Sequence, residues 1–312
     1  MFSEILRVPD HLSVANADMS CALAYVDGAF VPLAEAKISI RDYGLMYADM
    51  TYDVLHTWKR GFFRLDDHLD RFMVSMRGLR LDAGLSRSDI HVTLAELVRQ
   101  SGLADTLVYF ACTRGVAPPG TRDPALCRNN FFACVTPLVL RGQPDEMRRG
   151  LNAMISKKVR RIPTDSVNPV WKNSHWGDLT RALFLAKDEG CDAVFLLDHE
   201  GHVTEGPGYN VMAVIDGTLV SPAGGVLEGI SRKTMMEIAD LLHIPNRLGT
   251  LTPEALRDAD EIFITATSCG LFPVTRIDGR ILGNGAPGPV TTRLLNTYYL
   301  KKDEGWHITP ID

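Results

Sequence analysis

Short turn sequences between runs of apolar residues constrain the fold of this chain more than any other feature. Asp27-Gly28 separates the apolar runs 22–26 and 29–33, and Asp216-Gly217 leads into Leu219-Val220. Two-residue Asp-Gly turns suit the twist of antiparallel strands, so each predicts a β-hairpin. Because such hairpins alternate with amphipathic helices, the pattern favours an α+β fold over a doubly wound parallel sheet.

The apolar periodicity places the remaining elements along the 312 residues. Helices are predicted at about 66–81, 88–101, 176–189, 230–242, 253–258 and 288–301. Strands are predicted at 22–26, 29–33, 52–58, 62–65, 106–113, 131–139, 151–160, 193–197, 202–204, 210–215, 219–220 and 261–266. The polar, turn-rich stretch 141–150 is the best candidate for an interdomain linker. We therefore predict an arm at 1–20, a small α+β domain at 21–140 and a larger domain at 151–312.

Composition and charge exclude several classes of protein. A net charge of -5 gives no general attraction to nucleic acid or to an anionic membrane. No apolar run is long enough to span a membrane and the N-terminal residues lack an export signal, so a soluble cytoplasmic protein is expected. The six cysteines show no paired spacing, which favours reduced thiols over disulfides or a zinc site. His199 and His202 flank a turn sequence, and we predict no metal there.

One basic cluster runs from Lys157 to Arg161. Its charges alternate along a predicted strand, which is typical of a solvated face. The cluster therefore does not predict a nucleic-acid partner.

Lys172 is the strongest candidate for chemistry. It lies between Trp171 and Trp176, in a segment that also contains Val170. Burial among such groups disfavours the ammonium form and frees the amine to act as a nucleophile or base. A lysine of this kind forms a Schiff base with an aldehyde cofactor such as pyridoxal phosphate. The alternative is that Lys172 lays its methylenes on an aromatic surface and holds its charge in water.

The start of the helix predicted at 230–242 is a candidate phosphate site. Gly229 permits close approach, and the N–H groups of Ile230 and Ser231 would face an anion. The hydroxyls and amides of Thr265–Gly270, at a strand end, suit an anion too. An ordinary helix start and an ordinary turn are the alternatives.

Two charged residues add to this set. Arg71, on the first predicted helix, would hold phosphate as a bidentate donor or pair with Asp67 one turn back. Glu205 stands in the glycine-rich turn Thr204–Asn210. A carboxylate against a pyridine nitrogen keeps that nitrogen protonated, so that the ring can take up a carbanion's electrons. The alternative is a surface glutamate beside a loop.

Together these segments resemble the class IV aminotransferases, the fold-type IV pyridoxal-phosphate enzymes. The resemblance extends from about Tyr25 to Thr291. It is carried by Phe62–Arg71, the lysine segment 168–176, Thr204–Asn210, Leu227–Arg232 and Thr267–Cys269. It implies the two-domain α+β fold of the branched-chain aminotransferases, with 151–312 as the large cofactor-binding domain, and a homodimer.

The resemblance also implies roles for individual residues. Lys172 would form the Schiff base, and Glu205 would meet the pyridine nitrogen. The phosphate contacts would be Arg71, Ile230, Ser231 and Thr267, with Leu227 packed on the ring and Trp176 also touching the cofactor. The substrate contacts would be Tyr47, Tyr52, Tyr109, Arg122, Trp176, Ser268 and Cys269.

The residues that hold a substrate carboxylate in the amino-acid enzymes of this family are replaced by other residue types in this chain. D-amino-acid aminotransferases carry an arginine and a histidine after a strand end like Thr113–Gly115, but Pro119 and Thr121 stand at those places. A tyrosine of the branched-chain enzymes falls at Gly177, and their strand arginine at Tyr109. The chain is most similar to the (R)-selective amine transaminases.

This subgroup likeness is carried by 31–38, 49–54 and 172–179. In the subgroup, a tyrosine at Tyr52 and a tryptophan at Trp176 line the site. The chain departs from it at Tyr47, where a histidine is usual, and in a shorter arginine-bearing loop. Arg122 or Arg114 would still reach a substrate carboxylate.

The expected reaction is a ping-pong transamination. A primary amine displaces Lys172, which then moves a proton from the substrate carbon to the cofactor, and a keto acid such as pyruvate takes up the amino group. Three alternatives also bind the cofactor. They are a D-amino-acid or branched-chain aminotransferase, an aminodeoxychorismate-type lyase, and a protein that binds the cofactor for storage or regulation. The last alternative is an α+β protein without cofactor.

Overall fold

The computed structural model describes Leu12 and residues 17–140, 142 and 144–311. They form two compact units, which we call the large unit (Leu140–Val170 and His175–Glu304) and the small unit (residues up to Val139, Trp171–Ser174 and residues from Gly305). Most of the predicted arm at 1–20 lies outside the described residues, which include only Leu12 and residues 17–20 of it. The predicted domain bounds stay a prediction, since the two units are interleaved along the chain.

Within the described residues, the small unit contains one antiparallel sheet and three α-helices. Its strands are β1 (Leu23–Val26), β2 (Ala29–Pro32), β3 (Met50–Trp58), β4 (Gly61–Phe63), β5 (Thr106–Val116), β6 (Arg128–Pro137) and β16 (Ile308–Pro310). Its helices are α1 (Tyr43–Tyr47), α2 (Leu65–Leu79) and α3 (Arg87–Ser101). The strand order is β16-β4-β3-β5-β6-β1-β2. The chain therefore enters this sheet at one edge and returns to the other edge at its C-terminal end.

Helices α2 and α3 cover one face of this sheet. Leu65, Leu69, Phe72 and Met76 recur every three or four residues along α2, and all are buried in the core cluster. This spacing puts them on one side of the helix. The opposite face of the sheet carries half-buried aromatic side chains, described below.

The large unit contains a mixed sheet and five helices. Its strands are β7 (Leu151–Arg160), β8 (Ala193–Leu197), β9 (Glu205–Gly206), β10 (Tyr209–Ile215), β11 (Thr218–Pro222), β12 (Asn246–Gly249), β13 (Glu261–Ala266), β14 (Gly270–Ile277) and β15 (Arg280–Ile281). Its helices are α4 (Pro144–Arg149), α5 (Gly177–Asp188), α6 (Ile230–Leu241), α7 (Pro253–Arg257) and α8 (Pro289–Asp303). The main path is β12-β11-β10-β13-β14-β7-β8. Strands β7 and β8 pair in parallel, with α5 between them in the chain.

The predicted α+β class is confirmed, and so are both Asp-Gly hairpins. Asp27 and Gly28 have φ of 50° and 81°, and Asp216 and Gly217 have 48° and 72°. Positive φ at both positions is the geometry of a tight hairpin turn. Strand β14 was missed because Gly270 and Pro273 lower its strand propensity.

The short elements α1, β9, β12, β15 and β16 were not predicted, and two predicted stretches differ from the structure. The predicted linker 141–150 contains α4, while residues 141 and 143 lie outside the described part of the chain. The strand expected at 202–204 is reduced to a single bridge between Leu197 and Val203. In the portion that the structure describes, no helix combines the length and the apolar character needed to cross a membrane.

Candidate active site

The backbone of Lys172 is held in the small unit from two sides. Its N–H donates to Ser75 Oγ of α2 at 3.1 Å. Its carbonyl accepts from Thr51 Oγ1 at 2.6 Å and from the Tyr52 N–H at 3.4 Å, both on β3. Residues far apart in the sequence thus fix the position of this lysine.

A tyrosine ring lies close to the Lys172 amine. Lys172 Nζ lies 4.4 Å from the centroid of the Tyr52 ring. Trp171 packs on Gly78 of α2, where an added Cβ would collide with the indole. Trp176 precedes α5 and packs on the large unit's core cluster. The tryptophans that marked the segment in the sequence therefore have separate packing roles.

Tyr52 begins a row of three aromatic rings on the sheet face opposite to α2. The rings of Tyr52 and Tyr109 are stacked at 5.3 Å, and those of Tyr109 and Phe132 at 6.2 Å. Burial raises the pKa of Tyr109 well above its ordinary value, and the neighbouring Tyr52 adds to the shift. Tyr109 is therefore a neutral hydroxyl. Phe132 was not among the predicted site residues, because an aromatic residue in a strand usually signals only core packing.

Arg71 forms a bidentate pair with a buried aspartate. Its Nε and Nη2 donate to Asp53 Oδ2 and Oδ1, each at 2.8 Å, and His68 Nδ1 lies 2.8 Å from Asp53 Oδ1. Asp67, the partner considered from sequence, accepts from Arg64 at 2.8 Å. Arg71 is thus anchored to a residue 18 positions away in the sequence.

Burial and charge act in opposite directions on Asp53. Desolvation alone would raise its pKa, but the charge and hydrogen bonds of Arg71, together with the hydrogen bond from His68, outweigh it and lower the pKa. The pKa of His68 is lowered, because the cost of burying its charge exceeds the attraction of Asp53. The cluster therefore contains an ionised carboxylate, a guanidinium and a neutral imidazole.

Glu205 is the centre of a second buried cluster, in the large unit. Its Oε1 accepts from Arg161 at 3.0 Å, and its Oε2 accepts from the Leu227 N–H at 2.9 Å. Arg161 also pairs with Asp178 at the start of α5. Burial would lower the pKa of Arg161, but the two carboxylates outweigh it and raise the pKa. Glu205 is therefore a buried, oriented carboxylate rather than a surface glutamate.

Arg161 departs from the predicted solvated face. Lys157, Lys158 and Arg160 are exposed, as the alternating pattern indicates. Arg161 follows the end of β7 and is one of the missed site residues, with Asp178, Asp53 and His68. Only contacts across dozens of residues distinguish it from its neighbours.

The start of α6 has the features of an anion site. Gly229 is its N-cap, and no described side chain caps the helix. A Cβ at Gly229 would collide with Asn210 Oδ1, so the backbone approaches closely there. The helix N-terminus carries unpaired donors and a positive dipole end, which suit a phosphate.

The turn after β13 places the other predicted phosphate contact. Thr267 and Ser268 are half-buried, and Cys269 is fully buried with Sγ 3.8 Å from the Ala266 carbonyl. Thr265 Oγ1 is buried, and no hydrogen-bond partner for it lies within the described residues. The strand end thus supplies polar groups beside a small-residue turn.

The three remaining candidates for substrate contact differ in their surroundings. Arg114 donates to both carboxylate oxygens of Asp49 and to the carbonyls of Leu79 and Arg80. Arg122 is exposed in the loop between β5 and β6. Tyr47 is exposed and packs edge-on against Tyr43 at 4.8 Å. Arg114 is therefore engaged structurally, while Arg122 stays a prediction.

A turn of the large unit brings three potential metal ligands near one another. Ligand atoms of Asp198, Glu200 and His202 lie within 4.8 Å of each other. His202 Nδ1 is 3.4 Å from Glu200 Oε2 and 3.6 Å from Asp198 Oδ2, which is ordinary ion pairing on a turn. The predicted lack of a metal stays a prediction.

These residues fit a phosphorylated pyridine aldehyde when each unit is considered by itself. The large unit offers a buried carboxylate, Glu205, and an uncapped helix start beside Gly229. The small unit offers an amine, Lys172, and a fixed guanidinium, Arg71. A carboxylate for a ring nitrogen, donors for a phosphate and an amine for an aldehyde are the groups that this cofactor needs.

Comparison with known proteins identifies the family. Residues 50–277 match the family described as Amino-transferase class IV. A Methanocaldococcus jannaschii protein named as a candidate branched-chain-amino-acid aminotransferase is 33% identical over 272 residues, covering 86% of this chain and 93% of that protein. A D-alanine aminotransferase of Staphylococcus haemolyticus is 30% identical over 283 residues, with 86% and 94% covered.

Solved structures agree with this assignment. The T.th. branched-chain amino acid aminotransferase with pyridoxamine 5'-phosphate has a TM-score of 0.86 and 28% identity, covering 93% of this chain and 98% of that one. A branched-chain aminotransferase of Thermoproteus uzoniensis with norvaline has a TM-score of 0.83 and 28% identity, covering 93% and 99%. The chain therefore belongs to the class IV aminotransferases, and it is a pyridoxal-phosphate-dependent aminotransferase with the fold of the branched-chain enzymes.

Proposed function

We propose that this aminotransferase takes its amino group from a primary amine, with preference for the (R) enantiomer, and transfers it to a keto acid such as pyruvate. The observation that carries the proposal is the Tyr52–Tyr109 stack beside Lys172. Tyr109 stands where the branched-chain pattern places an arginine. A neutral phenol there offers no counter-charge to a substrate carboxylate, while its ring suits an apolar or aromatic substituent.

The surroundings of Arg114 support the same proposal. Its guanidinium is held by Asp49, and two main-chain carbonyls accept from it as well. Turning it toward a substrate would break its bidentate pair with Asp49 and both main-chain hydrogen bonds. Arg114 is therefore a poor carboxylate anchor, which again favours an amine.

Three residues are proposed to hold the cofactor and move the proton. Pyridoxal phosphate, when bound, supplies an aldehyde for the amino group and a protonated ring that takes up electrons from the substrate carbon. Lys172 would be the amine that holds the aldehyde, and its Nζ would move the proton as general base and acid. Arg71 would bind the phosphate, and Glu205 would pair with the ring nitrogen. Arg161 balances the charge of Glu205 and orients it.

The remaining contacts with the cofactor are proposed from their local settings. The backbone N–H groups of Ile230 and Ser231, at the start of α6, and the hydroxyl of Thr267 would bind the phosphate. Leu227 would pack on the ring, and its N–H holds Glu205 in place. Arg122 is proposed to bind the carboxylate of the keto acid, because it is exposed on a loop.

An amino-acid aminotransferase is the second candidate, since the relatives above are named as branched-chain-amino-acid and D-alanine aminotransferases. The visible spectrum of the purified, cofactor-loaded protein separates the two. We expect (R)-1-phenylethylamine to change the absorption much faster than (S)-1-phenylethylamine, D-alanine or L-leucine. A faster change with an amino acid would overturn the amine proposal. The Lys172→Ala variant is the control, and it should show no turnover with any of them.

An aminodeoxychorismate-type lyase would release pyruvate without an amino acceptor. Product analysis with and without added keto acid distinguishes this reaction from transamination. We expect ketone in more than stoichiometric amount only when a keto acid is present. Pyruvate formed in its absence would point to the lyase.

We further propose a cytoplasmic homodimer. The support is a run of exposed apolar side chains in the small unit: Ile40, Leu45, Met46 and Tyr47. Exposed apolar clusters of this kind mark protein interfaces. Light scattering after size-exclusion chromatography should give twice the chain mass of 34.5 kDa. A monomer at micromolar concentration would contradict the proposal.

A further inference from the structure

Asp53 lies on β3 with no exposed side-chain surface, and it serves donors from two elements. Its Oδ2 accepts from Arg71 Nε, and its Oδ1 accepts from Arg71 Nη2 and lies next to His68 Nδ1, all at 2.8 Å. Oδ1 also accepts from the Val54 N–H at 2.7 Å. The carboxylate is thus fixed by its own strand and by two side chains of α2.

The two hydrogen bonds from Arg71 to Asp53 determine the orientation of the guanidinium. Two N–H···O bonds on one edge of the guanidinium fix both its plane and its direction. An arginine has five N–H donors, and this pair uses one on Nε and one on Nη2. Its opposite edge, which carries Nη1, therefore has a defined direction in the protein.

We propose that Asp53, supported by His68, is a positioning residue that orients Arg71 for the phosphate of pyridoxal phosphate. This inference rests on the proposed role of Arg71 in binding that phosphate. A donor that is already oriented loses little conformational freedom when its ligand binds. Loss of Asp53 therefore weakens the binding of a phosphorylated ligand, although Asp53 itself does not touch it.

A purely structural role for the cluster is the competing explanation. Breaking a buried ion pair destabilises a protein whether or not a ligand binds there. Such a role predicts an equal loss for every ligand of the site. Pyridoxal, which carries the aldehyde and ring without the phosphate, makes the two explanations distinguishable.

The experiment titrates the full-length apoprotein with pyridoxal phosphate and, separately, with pyridoxal, followed by visible absorption. For Asp53→Asn we expect the Kd for pyridoxal phosphate to rise about tenfold or more, the size of one charge-assisted contact. We expect the Kd for pyridoxal to stay within twofold of wild type. Equal losses for both ligands, or no loss for either, would overturn the proposal.

Arg71→Gln separates the failure of this inference from the failure of the proposed function. If Arg71→Gln binds pyridoxal phosphate like wild type, the proposed phosphate contact is wrong. If Arg71→Gln is weakened while Asp53→Asn is not, only the positioning role fails. If Arg71 binds the phosphate and Asp53 positions it, the double variant should bind pyridoxal phosphate no more weakly than Arg71→Gln alone. The reason is that the two residues act through one contact.

Asp67→Asn is the matched control, since Asp67 is an aspartate on the same helix that pairs with Arg64. Its affinity for both ligands should stay at the wild-type level. If Asp53→Asn does not fold, Asp53→Glu gives the same comparison, because it keeps the charge but displaces the guanidinium. A phosphate-specific loss is expected there too, and wild-type affinity for pyridoxal phosphate would contradict the proposal.

Discussion

Both compact units contain a buried cluster of arginine and carboxylate, but the charges in the two clusters are balanced differently. In the small unit, one carboxylate (Asp53) serves one guanidinium (Arg71) and a neutral imidazole (His68). In the large unit, one guanidinium (Arg161) serves two carboxylates. The first cluster is formally neutral and the second carries one excess negative charge.

This difference indicates what each cluster is suited to do. A neutral cluster held by several hydrogen bonds stabilises a fixed geometry, which suits the orientation of Arg71. An excess negative charge in a buried place favours a nearby cation. A protonated pyridine nitrogen is such a cation, so Glu205 with Arg161 and Asp178 suits the ring-binding role proposed for it. A buried cluster of arginine and carboxylate can therefore either fix the orientation of a side chain or provide a net charge for a ligand.

The largest expected effect removes the excess charge from the large unit. Glu205→Gln keeps the shape of the side chain but no longer balances a protonated ring nitrogen, so we expect kcat to fall by about 10²–10³-fold. Asp178→Asn is the matched control, because it is the other carboxylate on Arg161. It should lower kcat by less than about tenfold. Equal losses in steady-state assays would show that the total charge matters rather than the position of Glu205.

The next effect tests how far packing, rather than charge, fixes the small unit's lysine segment. Gly78→Ala places a methyl group against the Trp171 indole, so we expect the free energy of unfolding to fall by about 1–3 kcal/mol. In an ordinary helix the same change would stabilise by about 1 kcal/mol. Gly177→Ala, at the start of α5 with open space around it, is the control and should be neutral or stabilising. Urea denaturation of both variants checks this, and equal results would contradict it.

The smallest expected effect is the loss of folding stability at acid pH that comes from the cluster of Asp53, Arg71 and His68. The pKa of His68 is lowered from 6.5, so the unfolded chain takes up that proton first and stability falls as pH drops below about 6.5. The pKa of Asp53 is lowered from 3.8, so a further loss follows below about pH 4. His68→Asn should reduce the first loss and leave most of the second, because Arg71 still lowers the pKa of Asp53. Denaturation of the apoprotein across this range measures both, and a variant profile identical to wild type would contradict the role of His68.

Local sequence patterns predicted much of the fold. The Asp-Gly turns gave both hairpins, and the helix ends of α2, α3, α5 and α6 fall within about two residues of the prediction. Strand β14 escaped because its glycine and proline oppose the strand pattern locally. Its pairing with β7 and β13 outweighs that preference.

In the candidate site, too, some residues were predicted from local sequence and others were found only in the structure. Lys172, Arg71 and Glu205 were singled out because each stands in a short, distinctive segment. Asp53 and Arg161 were not, since one is an ordinary acid in a strand and the other belongs to a basic run. Their roles depend on pairs separated by 18 and 44 residues, and no local pattern records such pairs.

The sequence by itself therefore determined the fold class, the family and the three residues proposed to handle the cofactor. Each of these follows from the order of residues within short segments, where periodicity, turn geometry and motif spacing are expressed directly. Only the tertiary structure decided which charges are paired and which ring lies beside the Lys172 amine. Electrostatic and packing contacts depend on distance in space. Folding brings together groups whose separation along the sequence does not reveal how close they lie in the structure.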